Sequence, residues 1–279
     1  MGRHLGCAFR LKERGRCKSH IRYATLTMQT MIPSDKPSYT ILQALRDWWA
    51  ERHPKFGTMG SLRQFGKEMF EFLRESTPER ERLRYGDIEY DWEHRVNTTE
   101  AAVSTRARLI GTLAGSLYQP TEPAVFREML SSLPINYRDF TFVDIGSGKG
   151  RTLLMASDYP FRRIIGVELL PELHRIAQEN IRKYKNENQK SFAIESQCVD
   201  AREFVLPEEP LVLYLFNPLP ELGMRALLTK LERSLQAQPR DVYVVYHNPE
   251  HRAWLENSWL REFTGTHRFV IYRSAEKGE

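Results

Sequence analysis

The sequence predicts an α/β protein in which a helical N-terminal region precedes a doubly wound, mostly parallel, Rossmann-like sheet. Three observations carry this expectation. From Phe140 onward short apolar runs alternate with helical patterns, and strands separated by crossover helices pair in parallel. Phe142-Val143-Asp144-Ile145 runs directly into Gly146-Ser147-Gly148-Lys149-Gly150, a strand and glycine-rich turn of the kind that faces ligands at the carboxyl edge of such sheets. Upstream of Leu133 the apolar residues recur at every third and fourth position instead, as helices require.

Taken in order, the stretch from Tyr39 to His53 places Ile41, Leu42, Leu45, Trp48 and Trp49 on one helical face and ends at Pro54. Leu62 to Leu73 repeats the pattern with Phe65, Met69 and Phe70, so two short helices are expected, the first stopped by proline. Residues 77–95 are charged and aromatic without a period and read as an ordered loop. Thr98 or Thr99 can cap a helix running to Leu117, and Pro123 suits the first position of another reaching Leu133. The expected strands are Phe140–Ile145, Arg163–Glu168, Phe192–Val199, Leu211–Phe216 and Val242–Tyr246. Helices near Arg151–Ser157, Pro171–Tyr184 and Met224–Ser234 lie between them, and Leu260–Phe263 with Phe269–Tyr272 adds a terminal antiparallel hairpin. The expected organisation is a basic leader at 1–30 without fixed structure, a helical cap at 31–117 and a ligand-binding domain at 118–279.

Composition narrows the class. With 279 residues, 41% hydrophobic and 28% charged, the chain has enough apolar material for a substantial core. It contains no apolar run of the roughly 18 residues that a membrane-spanning helix needs. Cys7, Cys17 and Cys198 form no CxxC pair, so neither a disulfide framework nor a four-ligand zinc site can be assembled, no metal site is expected, and a reducing cytoplasm suits the chain. The net charge of +5 belongs to the leader, where seven Lys/Arg face the single acid Glu13, and the remainder is close to neutral. The body therefore lacks the electrostatic footprint of a nucleic-acid binder. The leader reads as an unstructured arm, an Arg-rich targeting segment, or sequence upstream of a start at Met28 or Met31.

The strand ends carry the chemistry. Glycines in the first turn let a ligand approach the backbone and tolerate positive φ. Glu168 ends the second strand 18 residues after Gly150, where a carboxylate can accept from both hydroxyls of a ribose. The third strand ends in Val199-Asp200-Ala201; Asp200 can accept from the exocyclic amine of an adenine, or cap the turn that follows. The fourth ends in Asn217-Pro218-Leu219-Pro220, and the Asn217 amide offers an acceptor and two donors beside the glycine turn. His247, closing the fifth strand, is a candidate proton acceptor or a capping residue. Lys149 reads as solvent-facing and the Trp48-Trp49 pair as packing. The Asp87–His94 segment, rich in acids and aromatics, can draw in a basic substrate or form a solvated loop anchored by Trp92.

Together Asp144-Ile-Gly-Ser-Gly-Lys-Gly150, Glu168, Asp200 and Asn217 resemble the successive cofactor motifs of class I S-adenosylmethionine-dependent methyltransferases, over residues 118–250. Nicotinamide-binding Rossmann proteins favour G-x-G-x-x-G, whereas here position 151 is Arg and the acid stands two residues before the first glycine. A sulfonium cofactor carries no phosphate, so an acid at Asp144 suits it. The resemblance implies S-adenosyl-L-methionine bound by Tyr118, Thr121, Asp144, Gly146, Ser147, Gly148, Gly150, Glu168, Asp200, Ala201 and Asn217. Leu117-Tyr118-Gln119-Pro120-Thr121-Glu122-Pro123 is similar to a segment of the non-SET histone-lysine methyltransferases of the telomeric-silencing type and of related small lysine methyltransferases, in which the Tyr and the Thr or Ser line the methionyl end of the cofactor. This implies an amine acceptor, foremost a protein lysine, with Asn217, Tyr118 and His247 orienting the neutral amine. Asn217-Pro218 is also similar to the start of the Asn-Pro-Pro-Tyr box of enzymes that methylate bases or glutamine, but Leu219 and Pro220 replace the Pro and the stacking ring. The expected partner is a protein or small-molecule acceptor ahead of nucleic acid; the alternatives are methylation of a base or small molecule, and a non-catalytic nucleotide-binding module.

Overall fold

A computed structural model describes residues 39–77, 88–99, 103–255 and 259–274. The leader at 1–30, with Cys7 and Cys17, and Asp87 lie outside these residues.

Helix α1, Ile41–Glu75, begins at a reciprocal cap in which Gln43 N–H donates to the Thr40 hydroxyl and Thr40 N–H to the Gln43 side chain. The expected break is present but not where proline suggested it. Pro54 lies within the helix, and the axis turns at Gly57, whose φ of 64° only glycine takes without strain. Ile88–His94, expected as loop, is a short helix α2: seven residues are too few to show a period, and tertiary contacts stabilise it instead. Tyr90 is buried there under the Arg151 guanidinium, 4.7 Å from its ring, while Trp92 faces solvent. Helix α3 runs Thr105–Ala114, capped by Ser104 and ended by Gly115 at φ 65°. Thr98 and Thr99 thus do not cap it; both are buried and bonded to Asp91. Helix α4, Pro123–Ser131, starts at the expected proline.

The sheet follows as β1 Thr141–Ile145, α5 Arg151–Ala156, β2 Arg163–Glu168, α6 Pro171–Lys183, β3 Ile194–Cys198, β4 Leu211–Leu215, α7 Glu221–Ala237, β5 Val242–His247, β6 Leu260–Gly265 and β7 Phe269–Ser274. Its seven strands stand in the order β3-β2-β1-β4-β5-β7-β6, a doubly wound, Rossmann-like sheet. Strands β1 to β5 pair in parallel and β7 antiparallel to β5 and β6. The order reverses between β1 and β4, so the loops after these strands border the crevice where ligands bind in such sheets. β1, β4 and β5 are buried along their whole length, as expected where helices cover both faces. β3 at the edge is only half-buried, which is why its sequence is polar.

Pro37–Glu279 forms one compact unit. One apolar layer holds Val143, Ile165, Leu213 and Leu227, the other Phe126, Phe142, Leu153 and Val245. A third cluster joins Ala44 and Trp48 of α1, Ile110 and Leu113 of α3, and Leu170 and Leu173 at the start of α6. It places the N-terminal helices beside the carboxyl ends of the strands.

Candidate functional site

Beyond β1 the chain folds over the end of β2, where the N–H groups of Gly146 and Ser147 donate to the Val167 carbonyl at 2.8 and 3.0 Å. Gly146 and Gly148 take φ of 77° and 54°. At Gly148 a Cβ would stand 2.3 Å from the Tyr118 ring, so that ring, together with the left-handed φ, demands glycine there. Gly150, by contrast, opens α5 and packs against Ala177 of α6; it is not on the cavity wall.

A cavity of about 1080 Å³ opens at this edge. Asp144, Gly146, Ser147, Gly148, Glu168, Asp200, Ala201 and Asn217 line it from the strand ends, and Tyr118 and Thr121 from the segment before α4. The N-terminal helices add Asp47, Trp48 and Ile110, among others that the motifs gave no reason to expect.

The three strand-end acids differ in state. Asp144 is buried and accepts from the Thr152 hydroxyl; burial pushes its pKa up to about 7, with Thr152 opposing and Glu168 adding to the rise. Glu168 is raised by burial too, although the N–H groups of Gly148 and Leu170, each at 2.8 Å, favour its ionised form. Its carboxylate therefore ties the glycine turn to the start of α6. Burial alone would raise Asp200, yet bonds from the Arg202 side chain and N–H hold it below the usual range. Asp200 caps the turn, accepting Arg202 N–H at 2.8 Å, and also lines the cavity. Arg202 also lies 3.7 Å from Asp47 of α1, which accepts from the Tyr39 hydroxyl at 3.0 Å. This string ties the end of β3 to the N-terminal helices.

Asn217 takes φ of 44°. Its side-chain oxygen accepts from the Tyr246 hydroxyl at 2.6 Å and its nitrogen donates to the Asn248 carbonyl at 3.0 Å, leaving one lone pair and one proton for another partner. His247 does not line the cavity, contrary to its expected role beside the acceptor. It is buried, packs against the Phe216 ring at a tilt of 44° and bonds the Tyr214 hydroxyl at 2.9 Å; burial and the charge of Arg268 lower its pKa to about 4, so it is neutral at pH 7. Tyr214 in turn meets the Thr121 hydroxyl at 2.7 Å. His247 reaches the cavity only through this buried chain, whose middle member hid within the apolar Leu211–Leu215 run.

Two further expectations are corrected. Lys149 is fully buried, donating to the Thr99 carbonyl at 2.7 Å and to the Asn97 side chain at 3.1 Å. Asp91 cannot attract a substrate, because its carboxylate is buried and accepts from Thr98 and Thr99 N–H, the Thr98 hydroxyl and Arg151. Trp92 does not anchor its segment; Tyr90 does.

No protein-family model matches the chain. A protein-lysine N-methyltransferase of Saccharolobus islandicus is 28% identical over 157 residues, 56% of this chain and 90% of that protein. Among solved structures, an RNA methyltransferase from Salinibacter ruber in complex with S-adenosyl-L-homocysteine is 23% identical, over 56% of this chain and 92% of the other, with a TM-score of 0.39. A precorrin-6Y C5,15-methyltransferase from Geobacter metallireducens is 16% identical, over 56% and 90% of the two chains, with a TM-score of 0.43.

Proposed function

We propose that this chain is a class I methyltransferase that binds S-adenosyl-L-methionine at the carboxyl edge of its sheet and methylates an amine, foremost a protein lysine. The observation that carries the cofactor reading is the charge pattern of the cavity. Asp144, Glu168 and Asp200 line it from three successive strands; Lys149 of the glycine turn is not on its wall, and Arg151 and Arg202, which do line it, are paired with Asp91 and with Asp200. A pyrophosphate would want the opposite arrangement. A sulfonium nucleoside with ribose hydroxyls and an amino group fits acids that accept.

When bound, the cofactor supplies an electrophilic methyl carbon; the chain's own residues do the rest. Glu168 holds the glycine turn in place and presents its remaining lone pairs, Thr121 and Tyr118 wall the cavity, and the N-terminal helices shield it from water. Asn217, braced by Tyr246 and Asn248, is the polar group positioned to orient an acceptor. A lysine ammonium must lose a proton before attack, and a half-apolar cavity favours the neutral amine. The lysine reading is supported by the Tyr118–Thr121 segment and by the likeness to the Saccharolobus enzyme.

The test is transfer of labelled methyl from S-adenosyl-L-methionine into a lysate resolved into protein, nucleic-acid and small-molecule fractions. Label in protein that survives as methyl-lysine on hydrolysis is the expected result. Label confined to another fraction refutes lysine, and tight NAD binding without any response to S-adenosylhomocysteine refutes the cofactor.

A further inference from the structure

Against the glycine turn lies a buried polar network of which Arg151 reaches the cavity wall while Asp91, Thr98 and Asn180 do not. The Arg151 Nε donates to the Thr98 hydroxyl at 2.6 Å, and Arg151 also pairs with Asp91 at 3.4 Å. The Thr98 hydroxyl donates to Asp91, which further accepts Thr98 N–H at 2.5 Å and Thr99 N–H at 2.9 Å. Asn180 of α6 completes the assembly, exchanging bonds with the Asn97 backbone at 2.8 and 2.9 Å and donating to the Lys149 carbonyl at 2.9 Å. Thr98 is thereby fixed from both sides, and its carbonyl accepts the Tyr118 hydroxyl at 2.5 Å. The ring of Tyr118 lies against Gly148, so close that no Cβ fits between them.

Resting on the proposed cofactor site, we infer that Thr98, held by Asp91 and Arg151, is a positioning residue for cofactor binding: it sets the place of the Tyr118 ring on the glycine turn. A tyrosine ring pivots about two torsions, and its packing at Gly148 fixes one end only. The hydroxyl bond to a carbonyl that cannot itself move fixes the other. The segment N-terminal to the sheet domain is on this account part of the cofactor site without touching the ligand.

The experiment measures the affinity of the full chain for S-adenosylhomocysteine by calorimetry, with melting of the ligand-free protein alongside. Thr98→Val keeps the carbonyl, the shape and the backbone N–H bond to Asp91 but loses both hydroxyl bonds, to Arg151 and to Asp91, and is expected to weaken binding by about tenfold. Thr98→Ser, which restores the hydroxyl, is expected to bind within about twofold of the unaltered protein. In a Tyr118→Phe background the hydroxyl anchor is already gone, so Thr98→Val should add nothing further. Unchanged affinity in Thr98→Val overturns the inference, and so does a loss that persists undiminished in the Tyr118→Phe background, since that is the mark of general loosening. If the unaltered protein binds neither S-adenosylhomocysteine nor S-adenosyl-L-methionine, the cofactor reading itself is overturned and this inference with it.

Discussion

Replacing Glu168 tests the cofactor site and the local fold at once. The carboxylate accepts two backbone N–H groups at 2.8 Å, from Gly148 and Leu170, in a site where the side chain is buried. Glu168→Ala leaves both donors unpaired, at about 1–3 kcal/mol each. For a domain of this size each kcal/mol lowers the melting midpoint by roughly 2–4 °C, so a fall of about 4 °C or more is expected without ligand. The variant also loses the acceptors proposed for the ribose, which costs a further 1–3 kcal/mol or so of binding, roughly 5- to 150-fold in Kd. Glu168→Gln retains one acceptor oxygen and should fall between the two on both scales. Calorimetric titration with S-adenosylhomocysteine and a thermal melt read the two effects separately. Full affinity in Glu168→Ala would mean that the ribose is held elsewhere, and an unaltered melting midpoint would mean that the two backbone bonds add nothing.

Gly148→Ala should lose most cofactor binding, because the left-handed φ of 54° costs about 1–2 kcal/mol with a Cβ and the Tyr118 ring must move; retained binding in a titration would contradict that packing. Asp144, raised by burial to about 7, keeps its proton in the ligand-free fold where the unfolded chain has released it, so its contribution makes stability fall as pH rises from about 4 to about 7. A cationic ligand favours the ionised form, so affinity for S-adenosyl-L-methionine should rise between about pH 6 and 8 with proton release near pH 7, and Asp144→Asn should flatten that profile, as calorimetry in buffers of different ionisation heat will report. Asn217→Ala should keep cofactor affinity within about threefold yet lose tenfold or more of methyl transfer, the pattern of a group acting mainly in the transition state; equal losses in both assays would reduce Asn217 to a brace for Tyr246 and Asn248.

The α/β core and the acids at its strand ends are legible in the chain alone. Arg163–Glu168 is a strand over the residues its apolar run covers, and Asp144, Glu168 and Asp200 sit where strand, turn and helix succession puts them. These features are local: an apolar run bounded by glycine or acid declares a strand end without reference to the rest of the chain. What lies across the cavity from those ends was not legible. Lys149 looks like a surface cation in sequence and Asp91 like one of a run of loop acids, because the partners that bury them are some fifty to sixty residues away in the chain. Tyr214 was hidden in an apolar run and His247 was misplaced for the same reason: hydrogen-bond partners 33 residues apart have no signature in spacing. Gly148 shows the division within one residue. Its need for a glycine was visible in the motif, but one of its causes, the ring of Tyr118 lying where a Cβ would go, exists only once the segment before the sheet and the glycine turn are brought together.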